Sequence, residues 1–217
     1  MKKTNILLLG FMILLGITAK AQWGMGGTAA PMTALNSGDI SSLDGVKAVN
    51  IVYDYSDMGV GAFRKEEDYV KKRSDEMEAK EKGSSEKFKK DWVDARKRRY
   101  EPKFEELFKK IGMKEIGMDG TNYSNSNEVT LVVHTTFIEP GTNIGVYKKP
   151  AYVDFECTFK NKEGKVLCVF YIKNAVGSQA MGFDYAVEAR ILESYAKGAK
   201  MLVLAIKKER KKAGKKK

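Results

Sequence analysis

The amino-acid sequence predicts an α/β two-layer sandwich: a mainly antiparallel or mixed sheet of four to five strands, packed by a long C-terminal helix and a second helix, with a charged helical insertion. Three observations carry this prediction. Apolar residues alternate at period two in several segments between Val46 and Ile172, the mark of strands with one buried face. From Gly182 or Phe183 onward, Ala186, Ala189, Leu192, Ala196, Ala199, Val203 and Ile206 recur at spacings of three and four, which is a helical stripe. Between them, residues 64–101 hold 14 basic and 11 acidic side chains in 38 positions, a composition suited to solvated helix and unsuited to a buried strand. With 43% hydrophobic and 10% aromatic residues, the chain can bury a core, which excludes wholesale disorder and a disulfide-rich miniprotein. One His and two Cys leave no protein-only zinc site with four N/S ligands.

Residues 1–21 read as a signal peptide: Lys2 and Lys3, an apolar run from Ile6 to Ile17, then Ala19-Lys20-Ala21 before Gln22. That run of 12 residues makes roughly 18 Å of helix, short of a hydrocarbon core about 30 Å thick. Cleavage after Ala21 therefore leaves a mature chain with no transmembrane segment, in the periplasm or secreted. The only cysteines are Cys157 and Cys168, so no N-terminal lipid attaches to the mature chain. Residues 22–44, rich in Gly, Ala, Ser and Thr, read as a flexible lead. A single α/β domain is expected over 45–206.

Within the domain, Val49, Ile51, Tyr53 and Tyr55 alternate and predict a strand at 46–55. A helix follows at about 65–82, opened by Glu66, Glu67 and Asp68. Gly83-Ser84-Ser85 stops it and caps the next, which carries Phe88, Trp92 and Ala95. A further segment adds Tyr100, Phe104, Leu107, Phe108 and Ile111, with Pro102 marking either a kink or a fresh helix start. The first part of this 64–101 insertion has a thin apolar stripe and is expected to project or pack lightly. A short strand is expected at 113–117 and a polar turn at 119–122. A strong strand runs from Val129 to Ile138, ended by Pro140-Gly141.

The segment 151–160 alternates, with Val153, Phe155, Cys157 and Phe159 on one face. The run 166–172 is apolar throughout, which places it centrally or beneath a second cover. Asn161-Lys162-Glu163-Gly164 joins these two strands as a hairpin. A three-residue loop sets Cys157 against Val169 and Cys168 against Thr158, on opposite faces; a four-residue loop makes the cysteines direct partners. The turn chemistry favours the first, with the thiols as small hydrophobes. Gly198 inside the last helix costs about 1 kcal/mol relative to Ala, which tertiary packing should override, a kink being the alternative.

The segments VTLVVHTTFIEPG (129–141), AYVDFECTFKNKEGKVLCVFYIKN (151–174) and the Ala/Tyr/Gly pattern of 182–206, taken in order, resemble a group of bacterial envelope domains. These are the curli-export-channel lipoproteins, the N-terminal domain of the Tol-Pal translocation protein and related lipoproteins. The resemblance implies an assembly or accessory module without catalysis. Two departures stand out: the acylated Cys of the lipoprotein members has no counterpart, and 64–101 stands as an insertion. The leader, ending in Ala-x-Ala before Gln, is similar to those of Bacteroidota, which implies a two-membrane envelope.

The net charge of +11 falls to +8 when Lys2, Lys3 and Lys20 leave with the leader. Most of the excess is one tail at 207–217: Lys207, Lys208, Arg210, Lys211, Lys212, Lys215, Lys216 and Lys217 against Glu209. These residues read as partners of a helix C-terminus or as contacts to an anionic envelope surface. Nucleic acid is not the expected partner, since the cluster lacks interleaved aromatics on a folded body. The candidate protein-binding surface is Trp92 with Arg96, Arg98 and Arg99, a large aromatic among cations; the competing reading packs Trp92 within its own domain.

No catalytic motif, cofactor site or metal site is read. A nucleophilic pair would need His134 beside Cys157 or Cys168. Ser178, Asp184 and Glu188 read as caps and dipole partners of the last helix. Asp54, Asp57, Glu66, Glu67 and Asp68 lack the alternation of a calcium loop. The expected function is a non-enzymatic exported envelope protein acting through protein contacts. Binding of a lipid head group or polysaccharide through the basic tail is the second reading, and a Cys/His hydrolase the third.

Overall fold

The computed structural model describes residues 30–121, 128–144, 147–177 and 187–215; the signal peptide reading lies outside them. The elements, in order, are strands β1 (Met32–Gly38), β2 (Ala48–Asp54) and β3 (Gly59–Val60), then helices α1 (Glu66–Lys80) and α2 (Ser84–Ala95). A π-helical turn, Arg96–Tyr100, leads directly into α3 (Glu101–Ile116). Then come β4 (Asp119–Thr121), β5 (Val129–Glu139), β6 (Thr142–Ile144), β7 (Tyr147–Lys149), β8 (Tyr152–Asn161), β9 (Val166–Val176) and α4 (Val187–Gly214).

Seven strands form one mixed sheet in the order β1-β9-β8-β5-β2-β4, with β3 also against β5. The β5-β8-β9-β1 part is antiparallel, and β2 runs parallel to both β4 and β5. The α/β layers agree with the sequence, but the strand count exceeds four to five. The additions are β1, β3 and β4, three strands too short or too weakly apolar to show a period. Met32–Gly38 falls in the expected flexible lead, yet it pairs along β9 and is followed by a 3₁₀ turn, Ile40–Leu43, capped by Asp39. This pairing puts the apolar run of β9 one strand in from the edge. The strand expected at 113–117 is instead the last turn of α3, and β4 occupies the expected polar turn.

One face of the sheet carries Ile51, Leu131, Val133, Phe155, Phe159, Phe170 and Ile172, all buried, because alternate side chains on each strand share a face. α3 and α4 cover it side by side. Tyr100 stacks on Tyr195 at 5.1 Å near their starts, while Lys207 Nζ reaches Glu115 at 2.5 Å near their ends, so the two helices run parallel. Phe155 lies beneath both, 5.0 Å from Tyr195 and 6.0 Å from Phe104. Parallel helices gather their negative C-terminal poles at one end. There Arg210 donates to the Ile116 carbonyl at 2.9 Å and to the Leu43 carbonyl at 2.6 Å. α4 thus continues past residue 206 through most of the segment read as a tail.

The hairpin turn is closed by Gly164 in the left-handed region at φ +83°, with Asn161 opposite Lys165 as the three-residue loop requires. A bulge at Leu167 then shifts the ladder by one, so Cys157 pairs with Phe170 and Cys168 with Phe159. Neither register inferred from the loop survives that bulge. Both cysteines face the helices, one diagonal step apart, buried and free. The first part of the insertion packs lightly as its thin stripe implies, α1 burying only Ser74 among its described residues, while α2 places Trp92 and Ala95 in the core.

α4 runs unbroken through Gly198, and the position is glycine because a side chain there has no room: a Cβ would sit 2.4 Å from Phe155 Cε2. Ala at this position gains about 1 kcal/mol of helix propensity, but overpacking a core costs about 1–3 kcal/mol. Gly198→Ala is therefore expected to lower the urea midpoint, and adding Phe155→Leu to restore part of the loss. A midpoint at or above the parent's for the single variant would contradict the close approach.

Candidate functional site

The inward stripe of α2 ends at Ala95 and that of α3 begins at Tyr100, five residues on. Uninterrupted α spacing of 3.6 would turn Arg99 inward. The π turn absorbs the extra residue, its Glu101 N–H bonding to the Arg96 carbonyl, and brings Tyr100, Phe104 and Phe108 into the core. It also accommodates Pro102, which has no N–H to give to an α turn. Such π segments recur where a helix must re-aim side chains, and often at functional sites.

Here the re-aimed residues meet the end of β2. Trp92 Nε1 and the Arg96 guanidinium both donate to Glu66 Oε1 at the start of α1. Arg96 lies over the Tyr55 ring, 4.3 Å from its centre, a cation–π contact. The Tyr55 hydroxyl donates to Glu101 Oε1 at 3.3 Å; the Tyr53 hydroxyl donates to the Glu101 carbonyl at 3.0 Å and reaches Glu105 Oε1 at 3.3 Å. Tyr195 lies beside this chain, its hydroxyl 2.8 Å from Thr135 Oγ1. These contacts tie the charged arm, the sheet and both core helices together. Burial, then the nearby carboxylates, hold the Tyr53 phenol protonated far above its usual range. Burial also raises Glu101, which is 8% exposed, above the usual carboxyl range, opposed by the Tyr55 hydrogen bond, Lys97 and Arg96.

On its outer side the network opens into a cleft of about 550 Å³ between the end of β2 and the π turn. Tyr53 and Tyr55 form its aromatic wall, Val93 adds an apolar side, and Asp94, Arg96, Lys97, Arg98 and Glu101 make its polar lining, with Asp94 paired to Lys90 at 2.7 Å. Two tyrosine rings with cations at the rim suit a carboxylate-bearing or otherwise anionic group on an apolar stem.

The expected partner surface is divided by this arrangement. Trp92 is 5% exposed and packs on Tyr69 at 5.0 Å, so it belongs to the domain interior and is withdrawn as a surface anchor. Arg96 and Arg98 line the cleft. Arg98 is 3.5 Å from Asp91. Arg99 turns to the other side, 3.2 Å from Glu188, where a second cleft of about 450 Å³ includes Met77, Phe88 and Val187. Of the basic tail, Lys207 pairs with Glu115 and Lys212 with Glu209. Arg210 is structural, while Lys208, Lys211 and Lys215 are exposed. Lys216, Lys217, Ser178 and Asp184 lie outside the described residues.

The Cys/His pair does not form. His134 faces the open side of the sheet, opposite Glu156, with Nε2 2.8 Å from the Ser56 carbonyl oxygen. Val133, its neighbour, pairs with Cys157 on the helix side, so the thickness of the sheet separates imidazole from thiol. Burial pushes the Cys168 thiol up to about 12, with Asp39 adding to the shift, and raises Cys157 further; neither is a ready thiolate. The sheet therefore keeps His134 apart from Cys157, and the pairing that a Cys/His nucleophile needs is not formed by these residues.

The alternation of residues 46–55 shows Tyr53 and Tyr55 as a buried face but not their role, and no sequence motif marks Glu101 or Tyr195. The five-residue gap from Ala95 to Tyr100 was the available signal. No helix among the described residues is long and apolar enough to cross a membrane. Compared with protein-family models, curated proteins and solved structures, the chain finds no match in any of the three.

Because its folded-state pKa lies above the unfolded value, Glu101 favours the fold when protonated, below the ordinary Glu range near 4.3, and loses that contribution as pH rises through the folded value. Glu101→Gln keeps an acceptor for Tyr55 and removes the ionisation. The variant is expected to be more stable than the parent to urea at neutral pH, with the gain vanishing near pH 4. A gain that grows on acidification would contradict the burial of this carboxyl.

Proposed function

We propose that the chain is a non-enzymatic, exported accessory module of a bacterial cell envelope, holding an acidic segment of a partner protein in the cleft beside the π turn. The observation that carries this reading is the cleft itself: Tyr53 and Tyr55 wall it, and the cations Arg96, Lys97 and Arg98 outnumber the carboxylates Asp94 and Glu101 in its lining. Tyrosine and arginine are the side chains that dominate protein-binding hot spots, and Arg offers a planar fork to a carboxylate. Arg96 is held by Glu66 and stacked on Tyr55, so its orientation is set before a partner arrives, which reduces the entropy lost on binding. Export rests on the leader, and the accessory role on the resemblance to envelope assembly domains. Restricting the site to the cleft refines the sequence reading, in which Trp92 was the anchor.

The test is site-specific photo-crosslinking in the native envelope, with the reactive group at position 98 and, as a control, at position 162 in the β8–β9 turn. Position 98 is expected to yield one dominant protein adduct that position 162 does not, and Lys97→Glu with Arg98→Glu to reduce capture of that partner several-fold. Equal adducts from both positions, or capture undiminished by the charge reversal, would refute the reading.

A further inference from the structure

The basic charge is not confined to the end of the chain. Along α4, Lys200, Leu204, Lys207, Lys208 and Lys211 are all exposed, Leu204 at 42%, and their spacing of three and four puts them on one side of the helix. Lys197, one turn earlier, continues this ridge. The stacking of Tyr100 on Tyr195 and the Lys207–Glu115 pair turn the flank of α3 bearing Leu107 and Ile111 toward α4. The next positions around α3, Lys103, Lys110 and Lys114, then lie beside the ridge, with Met113 53% exposed among them.

Internal structure accounts for only part of this surface. A helix C-terminus favours cations within its last turn, which covers Lys211, Lys212 and Lys114 but not Lys197, Lys200, Lys103 or Lys110. Lys103, Lys207 and Lys212 have carboxylate partners in Glu106, Glu115 and Glu209. Among the described residues no carboxylate lies within ion-pair distance of Lys110, Lys114, Lys200, Lys208 or Lys211. Lys207 and Lys211, like Lys208 and Lys212, stand at i,i+4, where like charges destabilise a helix. A ridge that repels itself around an exposed leucine is offset by an external anion.

We propose that this two-helix face docks the protein on a bilayer containing anionic phospholipid. The lysine ammonium groups meet the headgroup phosphates, and Leu204 and Met113 enter the headgroup layer. A bilayer fits better than a nucleic acid or another soluble polyanion for two reasons. The face uses lysine point charges in place of arginine forks, Arg210 being turned inward onto carbonyls. Its exposed large apolar residues are Leu204 and Met113, with no exposed aromatic for base stacking. Lysine around aliphatic residues on a flat helical face is the composition of an interfacial surface. The footprint also differs from the basic tail of the sequence reading, because it excludes Arg210 and includes α3 and the middle of α4.

The test is co-sedimentation of the full chain, recovered from an exporting host, with phosphatidylcholine vesicles and with vesicles holding about 30 mol% phosphatidylglycerol. Binding is expected only to the anionic vesicles and is expected to fade toward about 0.5 M salt. Lys200→Glu with Lys208→Glu and Lys211→Glu should weaken it at least about 100-fold. A control with the same charge change elsewhere, Lys87→Glu with Lys162→Glu and Lys165→Glu, should retain most of it. All six positions are exposed, and an unchanged urea midpoint confirms that each variant is folded. Leu204→Ser should weaken vesicle binding several-fold without altering its salt dependence. Equal loss in both triple variants, no loss in the first, or a parent chain that ignores both vesicles yet is retained by soluble polyphosphate or DNA would overturn the proposal.

Discussion

A helix buries one stripe, and residues 84–116 carry two that are out of phase. Trp92 and Ala95 must face the core, and so must Tyr100, Phe104 and Phe108. A continuous α-helix rotates about 100° per residue, so one set would be carried toward solvent. The π turn at Arg96–Tyr100 removes the conflict by one residue, and much of the molecule depends on that step. It sets Tyr100 against Tyr195 and so positions α4. It allows α2 to bring Trp92 back onto Glu66, which fastens the charged arm to the body. It leaves Arg96 over Tyr55 at the mouth of the cleft.

Parallel packing of α3 and α4 is the second organising constraint. Side-by-side parallel dipoles place two negative poles together, and Arg210 meets that end directly. The surrounding lysines are then free to face outward. Close packing beneath the pair is possible because Gly198 lets α4 approach Phe155. The sheet supplies a level floor for both helices, since the bulge at Leu167 restores the inward phase of Cys168 and Phe170 after the turn.

β8 and α4 were legible because each holds a period over ten or more residues, and burial enforces that period, while β9 was legible as the unbroken apolar run 166–172. β1 was not legible: Thr33, Ala34, Asn36 and Ser37 have little apolar alternation, and the strand exists because β9 offers it an edge. β3 and β4 are too short to show any period. The bulge at Leu167 leaves no mark in composition, so loop length alone misplaced the cysteines. For the site, the tyrosines of β2 were visible as an inward face, while their partners were hidden by the phase change at the π turn. Trp92 misled because a large aromatic among charges reads the same whether it anchors a partner or the helix itself.

The phase change between α2 and α3 is open to one direct measurement. In a Trp23→Phe background, fluorescence reports on Trp92 and so on the α2 stripe, while the urea midpoint reports on the stability of the whole fold. Deleting Lys97 removes the extra residue and should rotate α2 by about 100° relative to α3, shifting the emission to the red and lowering the midpoint, whereas Lys97→Ala leaves both unchanged. Emission and stability that survive the deletion would show that the π turn does not hold the two stripes in place.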